Sequence, residues 1–509
     1  MKSIIKYSLF VLLLTFTTTA CNDYLEKYPN GEINSKDFFE KATPEELENA
    51  VNSIYQPLQR SYMYNLRMWT LDIVAGEGRV GNEAGGNGVE TVQLSNFVTT
   101  SDNSGAKELW RGPWSGIQRA NWILDNIDYG ANKLDPDKLI RYKGEARFLR
   151  ALYYFNTVRL FGDVPLFRHA QTGADDLKAP RTNKDLVYEL IIEDLQEAAR
   201  ILPPSYDGAD VGRATKGASL GLLAKVYLTL GKHGLVISTI EELMKLNVYS
   251  LNANYAHNFD DKRENGPESL FEIQYEKDSP YDPFDILNQG GWHNEFLAPL
   301  APINIGGAWG NFGWFHVYPE FANSYEPNDK RKAVSIFSAG DVYQGWAYDP
   351  TCSTTGHNVK KFMTPNYGTT KAMDSPLNFP ILRYSDVLLM YAEALNESDR
   401  TTDACAAATD ANNGGPLNRV RIRAGLSNAS TTDKAVLREI IRHERRMELA
   451  FEGGHRWFDL IRYDNGEYAK NFFHSIGKTN FTIPKHLLLP VPLDDIDANP
   501  NLLPQNTGY

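Results

Sequence analysis

Four of the nine tryptophans, Trp292, Trp309, Trp314 and Trp346, lie in a stretch rich in Gly, Pro and Asn, with Tyr343 and Tyr348 close by. A flat, rigid indole matches the C–H face of a sugar ring, while neighbouring Asn, Asp or Arg groups bond the surrounding hydroxyls. In Gly306-Gly-Ala-Trp-Gly-Asn-Phe-Gly-Trp314 the glycines leave room for a ring to stand clear of the chain. The pattern predicts an aromatic platform for carbohydrate, with Trp309, Trp314, Trp292, Trp346 and Tyr343 as its candidates. The competing reading is that these rings pack the loops that carry them. Trp110, Trp114, Trp122 and Trp457 fall in helical segments and read as core.

Other motifs carry less chemistry than they first offer. Gly76-Glu-Gly78-Arg-Val-Gly81 has dinucleotide-loop spacing, but that site needs a helix N-terminus to present N–H groups to the pyrophosphate. Asn82-Glu-Ala-Gly-Gly-Asn-Gly88 follows instead and does not start a helix. Arg442-His443-Glu444-Arg445-Arg446-Met447-Glu448 places Glu444 on the apolar stripe of Leu437, Ile440 and Ile441. A carboxylate on such a stripe beside three arginines reads as a structural ion pair. The second His of a zinc-protease helix is missing, as are a nucleophile elbow and an EF-hand pattern. No catalytic residue, cofactor or metal is expected. Three cysteines are too few for a disulfide framework, and the spacing of Cys352 and Cys405 leaves their pairing open.

The start of the chain sets its compartment. Lys2 and Lys6 precede a mainly apolar run, Tyr7 to Phe16, too short to span a bilayer. Thr18, Thr19 and Ala20 then lead to Cys21, as in a lipoprotein signal whose cysteine carries the lipid. Thr18 stands where Leu is usual, and ordinary secretion with Cys21 as a plain residue is the alternative. A formal net charge of −12 over 509 residues opposes nucleic acid, whose binding relies on cations that displace counterions. Hydrophobic residues at 42% and charged residues at 23% describe a globular chain.

Helices dominate the rest. Phe148, Ala151, Leu152, Phe155 and Val158 fall at offsets 0, 3, 4, 7 and 10, one face of a helix over 137–161. A second helix over 184–202 stops at Pro203-Pro204, and 216–246 reads as a helix–turn–helix of tetratricopeptide type. Residues 384–396 pair with 433–452 by the same logic, and 44–60 with 114–127. Between about 250 and 380 the chain changes to loops and short β-like pieces such as Leu270–Tyr275.

These segments resemble the SusD/RagB family. The resemblance lies in Gly144-Glu-Ala-Arg-Phe-Leu-Arg-Ala151, Arg159-Leu-Phe-Gly-Asp-Val-Pro-Leu166 and Arg383-Tyr-Ser-Asp-Val-Leu-Leu-Met-Tyr-Ala-Glu-Ala-Leu-Asn396. It continues through Arg442 to Gly453, Arg456-Trp-Phe-Asp-Leu460 and the tail Gln505-Asn-Thr-Gly-Tyr509. It implies a mostly α fold: four tetratricopeptide-like helix pairs forming a scaffold, with a loop-rich, irregular C-terminal region. Residues 1–20 would be the signal peptide and 21–509 one domain, with scaffold at about 36–250 and 380–465 and a ligand-binding head at about 250–380. It further implies a cell-surface, lipid-anchored outer-membrane protein that binds glycan without cleaving it and serves a TonB-dependent SusC-like transporter. Peptide cargo, as in RagB-like members, is the alternative, with a helical glycoside hydrolase as a further rival. By the same resemblance, the region after Trp69, with Asp72, Arg79 and Asn82, would supply further ligand contacts.

Overall fold

The computed structural model describes residues 35–81, 88–173, 176–282, 287–300, 311–363 and 371–509. It is 52% helix and 7% strand, so the mostly helical expectation is met. The principal helices are α1 (Pro44–Asn52), α2 (Arg67–Val74), α3 (Trp114–Asn126), α4 (Pro136–Phe161), α5 (Lys184–Ile201), α6 (Lys216–Thr229), α7 (His233–Met244), α8 (Tyr384–Glu397), α9 (Pro416–Arg423), α10 (Lys434–Glu448) and α11 (His455–Arg462). Their starts are chemically marked. Thr43 and Glu46 form a reciprocal capping box on α1, and Asp135, Asn183, Thr215 and Asp433 accept first-turn N–H groups of α4, α5, α6 and α10.

The helices form a continuous array. α3 packs on α4, α4 on α5, α5 on α6, α6 on α7, α7 on α8, and α8 on both α9 and α10. The α7–α8 contact therefore joins two groups of helices that lie far apart in sequence. α4 is enclosed: beyond the predicted stripe, Glu145, Arg150, Tyr153 and Tyr154 are buried too. Its polar groups are consequently paired. Arg150 holds Asp194 of α5 through two bonds of 2.7 and 2.8 Å, and Tyr153 donates to the Ile54 carbonyl at 2.7 Å. The expected pairing of 44–60 with 114–127 is looser than predicted. α1 ends at Asn52, a 3₁₀ turn follows at Gln56–Gln59, and α3 packs mainly on α4.

The strands are short: β1 (Gly78–Val80), β2 (Ser269–Ile273), β3 (Phe315–Val317), β4 (Ile336–Ser338), β5 (Val342–Tyr343), β6 (Trp346–Ala347), β7 (His357–Val359) and β8 (Phe379–Arg383). β1, β3, β7 and β4 form an antiparallel sheet in that order, β2 pairs with β8, and β5 with β6. α6 lies against the β2–β8 pair at Gly221, where a Cβ would come within 2.7 Å of both Leu270 and Leu382. One hydrophobic core runs from Phe39 to Leu502 through scaffold and loops alike, and a small second cluster gathers Ala298, Phe337, Tyr348 and Met363.

The charged run on α10 is structural, as its stripe predicts. Glu444 pairs with Arg331 at 2.5 Å and Arg421 at 2.9 Å. Glu448 meets Arg423, Arg331 and Arg383 at 2.5, 3.1 and 3.1 Å, and Glu452 meets Arg383 and Lys361 at 2.7 and 2.8 Å. Burial opposes ionisation of Glu448, but the three guanidiniums outweigh it and hold the carboxyl well below its ordinary range. Arg445 in turn binds Asp459 and Asp386 at 2.8 and 3.0 Å. Cys352 and Cys405 are both free thiols.

Candidate functional site

The predicted aromatic residues separate into two groups by what lies behind each ring. Trp69 on α2, Trp292 and Trp314 join Phe296 and Phe312 in a buried nucleus. Phe296 is stacked on Trp292 at 5.8 Å and on Phe312 at 4.8 Å, and meets the edges of Trp314 at 5.3 Å and Trp69 at 6.2 Å. The three tryptophans are 1%, 7% and 8% exposed, so none presents a ring face to solvent. This corrects the assignment of Trp292 and Trp314 to an open platform and of Trp69 to a further ligand contact. Backbone bonds explain it: the N–H groups of Phe312, Gly313 and Trp314 donate to Glu295, Ala298 and Phe296. That pairing folds the segment onto the short helix His293–Leu297 and turns Trp314 inward. Burial pushes the Glu295 carboxyl up to about 7, and it accepts the Met373 N–H at 2.7 Å, tying the nucleus to the next segment.

Tyr343 and Trp346 behave differently. They sit directly opposite one another on β5 and β6, joined by Gln344 and Gly345 at φ 50° and 81°. Positive φ at both loop positions is the two-residue hairpin turn whose twist matches that of the strands. Both rings are half-buried, packed on the small satellite cluster and not in the main core. Trp346 meets Phe337 at 5.4 Å and Tyr348 at 6.0 Å, edge-on to both. Two bonds lock the support: Tyr343 donates to the Met363 carbonyl at 3.1 Å, and Tyr348 to Asn358 Oδ1 at 2.7 Å. The Lys360 ammonium lies 5.3 Å from the Phe337 ring centre. The arrangement is a rigid, half-exposed aromatic pair flanked by polar groups, suited to lying against an apolar ring face.

The remaining predicted positions are dispersed. Asp72 is 0% exposed on α2 and accepts the Gly453 and Gly454 N–H groups at 3.1 and 3.2 Å. Burial drives its carboxyl up to about 8. It braces the chain between α10 and α11 and is closed to ligand, which corrects its role. Arg79 on β1 is half-buried and faces His316 across the sheet, in a row that continues through Asn358 to Phe337. That row ends beneath the aromatic hairpin, but His316 and Asn358 are buried, so the row is covered along its middle. Trp309, Asn82 and Cys21 lie outside the described residues. Sequence reading treated Tyr348 as a bystander and passed over Phe337 and Met363. Only the turn-forming Gln344-Gly345 between two aromatics signalled a hairpin. Within the formal glycine motif, Gly78–Val80 form strand β1 and not the start of a helix, and Glu77 is ion-paired to Arg446 at 3.0 Å.

Residues 250–509 match the model of the SusD family, and residues 23–228 match a model described as "Starch-binding associating with outer membrane". The chain belongs to the SusD family. "SusD-like protein P2" of Formosa agariphila is 28% identical over 531 residues, covering 99% of this chain and 100% of its own. A solved "Laminarin binding SusD-like protein" is 25% identical with a TM-score of 0.76, covering 92% of this chain and 100% of its own. Surface glycan-binding protein A of Bacteroides thetaiotaomicron, solved with laminarihexaose, shares the fold at a TM-score of 0.77 and 24% identity, covering 91% of this chain and 100% of its own. Two of the segments that carry the resemblance, Arg383–Asn396 and Arg442–Gly453, supply Arg383, Glu444, Glu448 and Glu452 to the buried ion network. Among the described residues no helix is long and apolar enough to cross a membrane.

Proposed function

We propose that this protein is a glycan receptor that holds an oligo- or polysaccharide on the Tyr343–Trp346 hairpin without cleaving it. It then passes the glycan to a TonB-dependent SusC-like transporter, working from a lipid anchor at Cys21 on the outer surface of the outer membrane. The observation that carries the reading is the half-exposed cross-strand aromatic pair, held on its own cluster in a chain of the SusD family. A laminarin-binding relative of 25% identity and the outer-membrane description of the matching model support the cargo and the location. Glu444 and Glu448, the carboxylates nearest to a catalytic pattern in sequence, are buried among arginines and offer no acid or nucleophile to a sugar. One or two stacked rings with their hydrogen bonds supply ~4–6 kcal/mol, a dissociation constant of roughly 1 mM to tens of µM. Such an affinity allows release to a transporter.

The test is titration of the full chain with a panel of neutral polysaccharides and a peptide library, repeated with Trp346→Ala. One class of glycan is expected to bind, with at least a tenfold rise in Kd for the variant and no new reducing ends on long incubation. Peptide binding in place of glycan, or sugar cleavage that tracks an Asp or Glu substitution, would overturn the reading.

A further inference from the structure

A cleft of about 590 Å³ lies between the end of α1 with its 3₁₀ turn, the segment 209–213, the end of β2 and residues 287–289. Its volume falls in the span of small-ligand sites, roughly 300–1,000 Å³. The wall carries the side-chain amides of Asn49, Asn52, Gln56, Gln59 and Gln289, while that of Gln274 is taken up by Asn265, Asn378 and the Glu272 carbonyl. Each amide carries both a donor and an acceptor, which is what a sugar hydroxyl offers in return. Apolar surface is present too. Tyr55 and Phe271 line the cleft with ring centres 6.4 Å apart, and the Tyr55 hydroxyl is pinned by a 2.6 Å bond to Glu145.

The charges in this wall argue against an anionic ligand. Arg213 is committed to Asp210, Glu145 and Glu48 at 2.7, 3.2 and 3.0 Å, with Asn52 Oδ1 at 2.7 Å. Arg119 donates to the Ser53 carbonyl and Gln56 Oε1 at 2.6 and 2.8 Å. A carboxylate or sulfate entering here would find Arg213 already neutralised by Glu48, Glu145 and Asp210, and would meet Glu272 in the wall. A neutral polyhydroxylated ligand meets no such penalty.

We propose that this cleft is a second saccharide site, taking one or two neutral sugar units and distinct from the aromatic hairpin. The inference rests on the glycan reading for the source of its ligand, but on none of the hairpin's residues. A short rigid segment connects it to the aromatic nucleus. Asn65 donates to the Gly290 carbonyl at 3.0 Å and accepts the Trp292 N–H at 2.8 Å, so Gln289 in the cleft and Trp292 in the nucleus are held three residues apart on one braced strand of chain.

The test uses the full chain with laminarihexaose, maltohexaose, cellohexaose and xylohexaose as calorimetric probes. Asn49 and Gln289 are exposed, so Asn49→Ala/Gln289→Ala leaves the fold and the melting temperature unchanged. Two binding events are expected, the weaker losing at least tenfold in Kd in this double variant while the stronger is unmoved. A single event abolished by Trp346→Ala and untouched by the double variant overturns the inference and leaves the proposed function standing. A single event lost only in the double variant supports the cleft and removes the hairpin. No event with any probe removes both.

Discussion

Trp314 and Trp346 are alike in type and neighbourhood, yet opposite in what surrounds the ring. Trp314 is wedged between Phe296 and Trp69, so Trp314→Ala is expected to leave a cavity and cost about 3–5 kcal/mol of stability, read as a lower urea midpoint. Trp346→Ala removes a half-exposed ring and is expected to change glycan affinity far more than stability. Equal losses of stability for the two would show that the hairpin is core after all. Asp72 supplies a pH signature. Its carboxyl titrates at about 8 folded and near 3.8 unfolded, so the folded state holds an additional proton between those values. Stability from this group is full below the unfolded pKa and is lost as pH rises through the folded one. Asp72→Asn has no proton to lose, and the fall in melting temperature between about pH 4 and 8 is expected to flatten in this variant. An unchanged slope would place the proton elsewhere.

At the scale of elements, the aromatic hairpin depends on its turn. Gly345 sits at φ 81°, where an L side chain costs about 1–2 kcal/mol. Gly345→Ala is therefore expected to splay β5 from β6 and raise the glycan Kd several-fold with both rings still present; titration checks it, and unaltered affinity would detach binding from hairpin geometry. The long helices were legible in the sequence because their signals are local: a 3.6-residue period, capping residues and proline stops. β1 was not. Its three residues carry no period, and they become a strand only because β3, more than two hundred positions later, provides hydrogen-bond partners. The same is true of the loop looseness at 53–66, where α1 ends earlier than its apolar pattern runs.

For the whole molecule, the buried ion network stitches the loop-rich middle to the helical array. Arg331 and Lys361 come from the middle, Arg383 from the end of β8, Arg423 from α9, and their carboxylates from α10 and the turn after it. Removing one partner strands charges that are too buried to reach water, a loss of about 3–5 kcal/mol. Glu448→Gln is thus expected to lower the melting temperature while keeping a single calorimetric transition, because one core spans both regions. Two separated transitions would mean that the regions melt independently.

The sequence by itself determined the helical scaffold, the run of family segments and the structural character of the charged helix. Each of these rests on spacing within one element, where neighbours along the chain are neighbours in space. Which aromatic rings face solvent was decided only by the tertiary structure. A glycine-rich segment allows an indole to turn outward or inward with equal ease, and the choice falls to partners such as Phe296 and Trp69 that arrive from distant parts of the chain.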